Sequence, residues 1–140
     1  MARLPTLSDG TNTYFYLAGF SDTTTAVSAV DGCYFRYTNG QASGQWQGVC
    51  RDNSTESSTS GTTVVANTWY RLTIIINPAG TAASFFVNGT QIGSNITTNI
   101  PTGAGRGTGF GSSIIKSAGT TERTADLDYI EVIGYDNSST

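Results

Sequence analysis

Ala83-Ser84-Phe85-Phe86-Val87-Asn88-Gly89-Thr90-Gln91-Ile92-Gly93 is the stretch that decides the fold. Asn-Gly is the preferred pair for a two-residue type I′ turn, because both central positions need positive φ. That turn sets Val87 opposite Thr90 and Phe85 opposite Ile92, which makes Phe85, Val87 and Ile92 candidates for one buried face. Upstream, Trp69-Tyr70-Arg71-Leu72-Thr73-Ile74-Ile75-Ile76 reads as a central strand rich in β-branched residues, and Asn77-Pro78-Ala79-Gly80 turns it into the next. Together they predict a three-strand antiparallel meander.

The same signals recur along the chain. Roughly nine candidate strands fall near 13–20, 33–38, 45–51, 62–66, 69–77, 82–88, 90–96, 112–117 and 126–134, and no segment carries a helical period. Asn39-Gly40, Asn88-Gly89 and the four-glycine stretch from Pro101 to Gly109 punctuate them. Many short strands with Gly- and Asn-rich turns predict a two-sheet antiparallel sandwich over residues 1–140 as a single domain. The Ser- and Thr-rich segment from Asp52 to Gly61 reads as a mobile loop, and 136–140 as a flexible tail.

Composition narrows the function. The 140 residues include only 12% charged and 37% hydrophobic side chains, and the polar remainder is mostly Gly, Thr, Ser and Asn. Net charge is −3, and the seven basic residues are scattered. Nucleic acid binding needs clustered Lys and Arg, so that partner is not expected. A membrane helix needs about 18 consecutive apolar residues, and the runs here are far shorter. Met1-Ala2-Arg3-Leu4-Pro5 lacks the apolar stretch of a signal peptide. An extracellular placement would therefore need another export route or a longer chain. Histidine is absent, which removes Ser-His-Asp and Cys-His mechanisms and the commonest metal ligand.

The two cysteines lie in a predicted hairpin centred on 39–44, in which opposed residues have numbers summing to 83. Tyr37 then faces Trp46, Phe35 faces Gly48 and Cys33 faces Cys50. Directly opposed Cβ atoms permit a disulfide, and two reduced cysteines packed as small apolar groups fit the same position. Two ligands do not make a metal site, and no cofactor is expected. Period-two alternation puts Phe35, Tyr37 and Trp46 on one face, and Tyr34, Arg36, Gln45, Gln47 and Arg51 on the other. An aromatic ring flanked by guanidiniums and amides is the chemistry of a carbohydrate groove. The competing reading is an ordinary solvated face or an oligomer contact. Trp69 reads as core.

One string looks catalytic: Asp126-Leu127-Asp128-Tyr129-Ile130-Glu131. Retaining glycosidases need two carboxyls about 5–5.5 Å apart. Asp126 and Asp128 share a strand face, while Glu131 points the other way unless a bulge intervenes. The alternative is that these acids flank a final strand packed through Leu127, Ile130, Val132 and Ile133. The sequons at Asn53, Asn88, Asn95 and Asn137 carry no weight in so Asn- and Thr-rich a chain.

Trp69-Tyr70-Arg71-Leu72 followed by Phe85-Phe86-Val87-Asn88-Gly89-Thr90-Gln91-Ile92-Gly93 resembles the Trp-led hairpin of concanavalin A-like lectin/glucanase domains. Leu127-Asp128-Tyr129-Ile130-Glu131-Val132 is similar to the terminal strand of that superfamily, family-16 glycoside hydrolases included. Those hydrolases carry an E-x-D-x-E strand ahead of the Trp-led hairpin, and residues 33–66 contain no match, so no catalytic residue carries over. The order from Leu7-Ser8-Asp9-Gly10-Thr11 through Ile114-Ile115-Lys116 to Asp128-Tyr129-Ile130-Glu131-Val132 also resembles modules of bacteriophage tail and head fibres. The resemblance implies a jelly roll that begins with a strand before Leu4-Pro5, so an upstream segment or a partner would complete it. It implies a non-catalytic module on a virion or extracellular surface, serving assembly or carbohydrate adhesion, with glycan, other copies or virion proteins as partners. A glycoside hydrolase or polysaccharide lyase of the same fold is the alternative.

Overall fold

A computed structural model describes residues 1–26, 28–38 and 44–134. Among the described residues twelve strands follow one another: β1 (Ala2–Arg3), β2 (Thr13–Ser21), β3 (Gly32–Thr38), β4 (Gln45–Asp52), β5 (Thr55–Ser58), β6 (Thr62–Thr63), β7 (Trp69–Tyr70), β8 (Leu72–Ile76), β9 (Ala83–Val87), β10 (Thr90–Gln91), β11 (Gly109–Ala118) and β12 (Asp126–Leu127). Every pairing between them is antiparallel. The described residues contain no helix, and the fold is all-β. The largest sheet runs β11-β2-β3-β4-β5, with β6 also on β4; two smaller sheets run β12-β1-β7 and β10-β9-β8.

One apolar cluster binds the layers. It takes Tyr14, Tyr16, Phe35, Tyr37, Trp46 and the half-cystines from the large sheet, and Ala2, Tyr70, Ala83, Phe85 and Val87 from the small ones. This is the sandwich-like packing of sheets that are apolar on one face. Trp46 is its hub, edge-on to Tyr16, Phe35, Tyr37 and Tyr70 at 5.8, 6.5, 6.1 and 5.9 Å between centroids. Such pairs add about 0.5–1.5 kcal/mol each beyond burial. Phe85 crosses between layers to meet Phe35 at 5.3 Å. Gly48 makes room for it, because a Cβ there would collide with the Phe85 ring. The glycine opposite Phe35 thus serves an aromatic of the facing sheet.

The decisive hairpin has the expected register, with Val87 opposite Thr90 and Asn88 and Gly89 both at positive φ. The Ile92 amide donates to the Phe85 carbonyl at 2.9 Å, and Phe85, Val87 and Ile92 are all buried. In the β3–β4 hairpin Cys33 faces Cys50, Phe35 faces Gly48 and Tyr37 faces Trp46. Cys33 and Cys50 form a disulfide, with Cα atoms 4.1 Å apart.

Four expectations change. The Trp69–Ile76 strand breaks at Arg71, whose amide donates to the Asn88 side-chain oxygen at 2.8 Å. Its second half, β8, is the last strand of its sheet and not a central one. Trp69 is at the surface, with the Arg3 guanidinium 4.9 Å above its ring. The Asp52–Gly61 segment is no loose loop: Asn53 and Ser54, both at positive φ, turn β4 into β5. The strand foreseen over 126–134 is confined to β12, and Ile130, Val132 and Ile133 are exposed instead of packed. The Asn39-Gly40 turn and the 136–140 tail lie outside the described residues.

Candidate functional site

The outer face of the β3–β4 hairpin gathers most of the residues singled out for ligand binding. Tyr34 and Arg36 project from β3 beside Gln47 and Arg51 from β4, as alternation requires. Gln45 stands further along β4, opposite Thr63 of β6, and does not join them. The Asn53-Ser54 turn then folds β5 back, placing Glu56 directly opposite Arg51. Glu56 is the residue that pattern reading missed. Its signal was electrostatic: two guanidiniums on one face require a counter-charge, and the tight turn brings Glu56 opposite Arg51.

Glu56 takes both cations. Arg36 grips it with two guanidinium nitrogens at 2.8 and 3.0 Å, while Arg51 Nη1 reaches Oε2 at 2.8 Å. Arg36 also donates to Gln47 Oε1 at 2.8 Å, and Gln47 Nε2 donates to the Thr59 carbonyl at 3.1 Å. Burial alone would raise the Glu56 carboxyl, but the hydrogen bonds and charge of Arg36 and Arg51 outweigh it and hold it below its ordinary value. The Arg36 side chain is 5% exposed. Tyr34 is fully buried in a second apolar cluster with Leu17, Ala29 and Val49. The Arg36, Arg51, Gln47 and Glu56 side chains therefore bond chiefly within this network, and Tyr34 takes no part in it. An open aromatic platform is not what they form.

The acids of the last strand part company. Asp126 is ion-paired to Arg3, with Nη2 at 2.7 Å from Oδ2. The backbone of Asp128 bonds to the Met1 carbonyl, and Glu131 lies beside the exposed Tyr129, whose hydroxyl it pushes up. Elsewhere Arg106, from the glycine-rich loop, bridges Asp31 and Asp52, the latter at 2.9 Å. The Asn53 amide, ahead of Arg106, holds the Asp31 carboxyl below its usual range, against a smaller opposing effect of burial. Arg123 meets Asp9 at 2.6 Å. Among the described residues no group of three or more His, Cys, Asp or Glu could hold a metal ion. Among them, too, no helix is long and apolar enough to cross a membrane.

A cleft of about 530 Å³ lies between the β5–β6 segment and the chain after β10, lined by Ser57, Ser58, Thr59, Ser94, Asn95 and Thr97 among others. Hydroxyls and an amide line it, with no aromatic and no titratable side chain. Such a wall can hydrogen-bond a neutral polar ligand, and it offers no general acid or base.

The chain belongs to the family described as SO2946-like, C-terminal domain, whose model matches residues 1–128. No curated protein and no solved structure matches it.

Proposed function

We propose that this member of the SO2946-like C-terminal domain family is a non-catalytic structural module of a virion or surface assembly, built as a concanavalin A-like jelly-roll sandwich. The observation that carries the reading is the use made of charge. Arg3, Arg36, Arg51, Arg106 and Arg123, five of the chain's six arginines, are committed to carboxylates of the same molecule. Hydrolytic catalysis by acids needs two carboxyls converging on one substrate. Here Asp9, Asp31, Asp52, Glu56 and Asp126 each meet a guanidinium, which fastens segments together. A C-terminal domain description fits a module carried at the end of a longer polypeptide.

Carbohydrate adhesion is a second role of the same module. It is favoured by the hydroxyl-lined cleft and not by the Tyr34–Arg51 face. A glycan array together with incubation on β-glucan and alginate-like polymers tests both. The expected result is no release of reducing ends or unsaturated products, with any glycan retention weakened by Asn95→Ala. Turnover that disappears in Asp128→Asn or Glu131→Gln would replace this reading with a hydrolase or lyase of the same fold.

A further inference from the structure

The Asn88-Gly89 turn sets a register, and it also brings the parts of an acyl transfer to one point. Both residues are exposed at the tip of the β9–β10 hairpin, at φ 52° and 84°. The Asn88 side-chain oxygen accepts the Arg71 amide at 2.8 Å, and the Asn88 amide donates to the Arg71 carbonyl at 2.9 Å. The carboxamide is thereby held in one orientation, with its carbonyl polarised by a backbone donor. A fixed N–H against an oxygen that turns negative when its carbon is attacked is the working part of an oxyanion hole.

The nucleophile is the amide of the next residue. Among the described residues the Gly89 amide donates to no acceptor, whereas the Asn88 amide before it is bonded to Arg71. Glycine carries no side chain to screen that nitrogen. A Cβ at Gly89 would stand 3.1 Å from Arg71 Nη2, so the guanidinium lies over the turn. Arg71 is exposed, and among the described residues it forms no ion pair, while the other five arginines hold Asp9, Asp31, Asp52, Glu56 and Asp126. Its charge is free to favour the ionised form of a neighbouring N–H and the anion that forms when Asn88 is attacked.

We propose that Asn88 is a self-modification site, at which the Gly89 amide nitrogen displaces ammonia from the Asn88 carboxamide with Arg71 as the assisting cation. The Gly89 nitrogen loses its proton and bonds to Asn88 Cγ. The Cγ–Nδ2 bond breaks, and Nδ2 leaves as ammonia with that proton. The two residues are then joined in a five-membered succinimide, which water opens. Addition of water at Cγ leaves aspartate at position 88, and addition at the main-chain carbonyl leaves isoaspartate, whose main chain runs through Cγ. Either product sets a carboxylate near Arg71 and gives the sixth arginine the kind of partner that the other five have. Isoaspartate also adds one atom to the main chain of a two-residue turn, whose register depends on its length. The change is one-way, because ammonia is lost, and it falls on the turn that fixes the β9–β10 pairing.

The test is peptide mapping by mass spectrometry of the full chain aged in neutral buffer, folded and in unfolding urea, with Asn88→Asp as the standard for the aspartate product. Mapping separates this site from Asn39-Gly40, another Asn-Gly pair of the chain. In the folded wild type Asn88 should convert about tenfold faster than in folded Arg71→Met, and Arg71→Lys should keep part of the rate. The Arg71 side chain is exposed, so these variants keep the fold, which circular dichroism checks. In urea, where the turn is lost, wild type and Arg71→Met should convert at the same rate, no faster than the folded wild type. Slower conversion of the folded wild type than of the unfolded chain overturns the site. Equal rates in folded wild type and folded Arg71→Met, or a difference between them that persists in urea, overturn the role of Arg71. Neither glycan nor assembly enters these readouts, so failure here leaves the proposed module role standing.

Discussion

Replacing Glu56 with Gln keeps the shape of the Arg36–Glu56–Arg51 cluster and removes its negative charge. Arg36 is then left as a cation whose side chain is 5% exposed, with Gln47 as its remaining strong acceptor. Breaking a fully buried pair from one side costs about 3–5 kcal/mol. Glu56 is 27% exposed, so solvent recovers part of that, and about 2–3 kcal/mol is expected. For a urea m value near 2 kcal/mol per molar, the midpoint should fall by roughly 1–1.5 M. Arg36→Met removes the cation, and the double variant should be more stable than the sum of the singles by about 1.5–2.5 kcal/mol. The pH dependence has a definite sign. The folded Glu56 carboxyl titrates below its ordinary 4.5, so its contribution is complete above that value and lost as pH falls through the folded value. The stability gap between wild type and Glu56→Gln should therefore hold at pH values above the ordinary 4.5 and narrow as pH falls below it. Additive single effects, or a gap that does not change with pH, would refute the claim that this face is an internal ion-pair network.

Other perturbations probe other parts of the fold. Gly48→Ala drives a methyl to within 2.6 Å of the Phe85 ring carbons, in a core with no room to yield, and should cost about 1–3 kcal/mol in chemical denaturation. Leu or Met at Phe85 should restore part of that loss, and no rescue would mean that the clash lies elsewhere. Removing the Cys33–Cys50 bridge as the double serine variant frees a loop of 17 residues and should lower stability by about 3 kcal/mol, with native strand content by circular dichroism. Gly89→Ala places a side chain at φ +84°, and a loss of about 1–2 kcal/mol with an unchanged m value is expected.

Much of the fold was legible because its signals are local. Asn88-Gly89 fixes a turn, the turn fixes a register, and period two assigns the faces; the same reasoning aligned Cys33 with Cys50 from residue numbers alone. What failed was long-range. Arg71 reads as an interior strand position, yet the Asn88 side chain takes up its amide, and the strand parts there. Trp69 reads as core by residue type, but Arg3 covers it at the surface. Serines and threonines from Asp52 to Gly61 read as mobile by composition, while positive φ at Asn53 and Ser54 makes the segment a strand turn. The polar face of β3 and β4 was assigned correctly in direction. Alternation tells which way a side chain points and not what lies above it, and here Ala29 and Glu56 supply the cover.

The distribution of charge has a consequence for how the module is held in shape. Arg3–Asp126, Arg106–Asp31 and Arg123–Asp9 join residues 123, 75 and 114 positions apart. Each pair keeps at least one side chain 27–52% exposed to solvent, so each contributes about 0–1 kcal/mol, too little to explain the fold's stability against the burial of Trp46 and its aromatic neighbours. Their effect is on geometry. Arg106 ties the glycine-rich loop to the acids at the far end of β4 and the turn before β3, and Arg123 ties the chain after β11 to the turn before β2. Glycine-rich backbone has the most freedom to lose, so an arginine at one point of such a loop restricts it more than the same pair would restrict a strand. Arg106 and Arg123 thus stand where the backbone is otherwise least constrained, while the Arg36–Glu56–Arg51 network fastens strands that the sheet already holds.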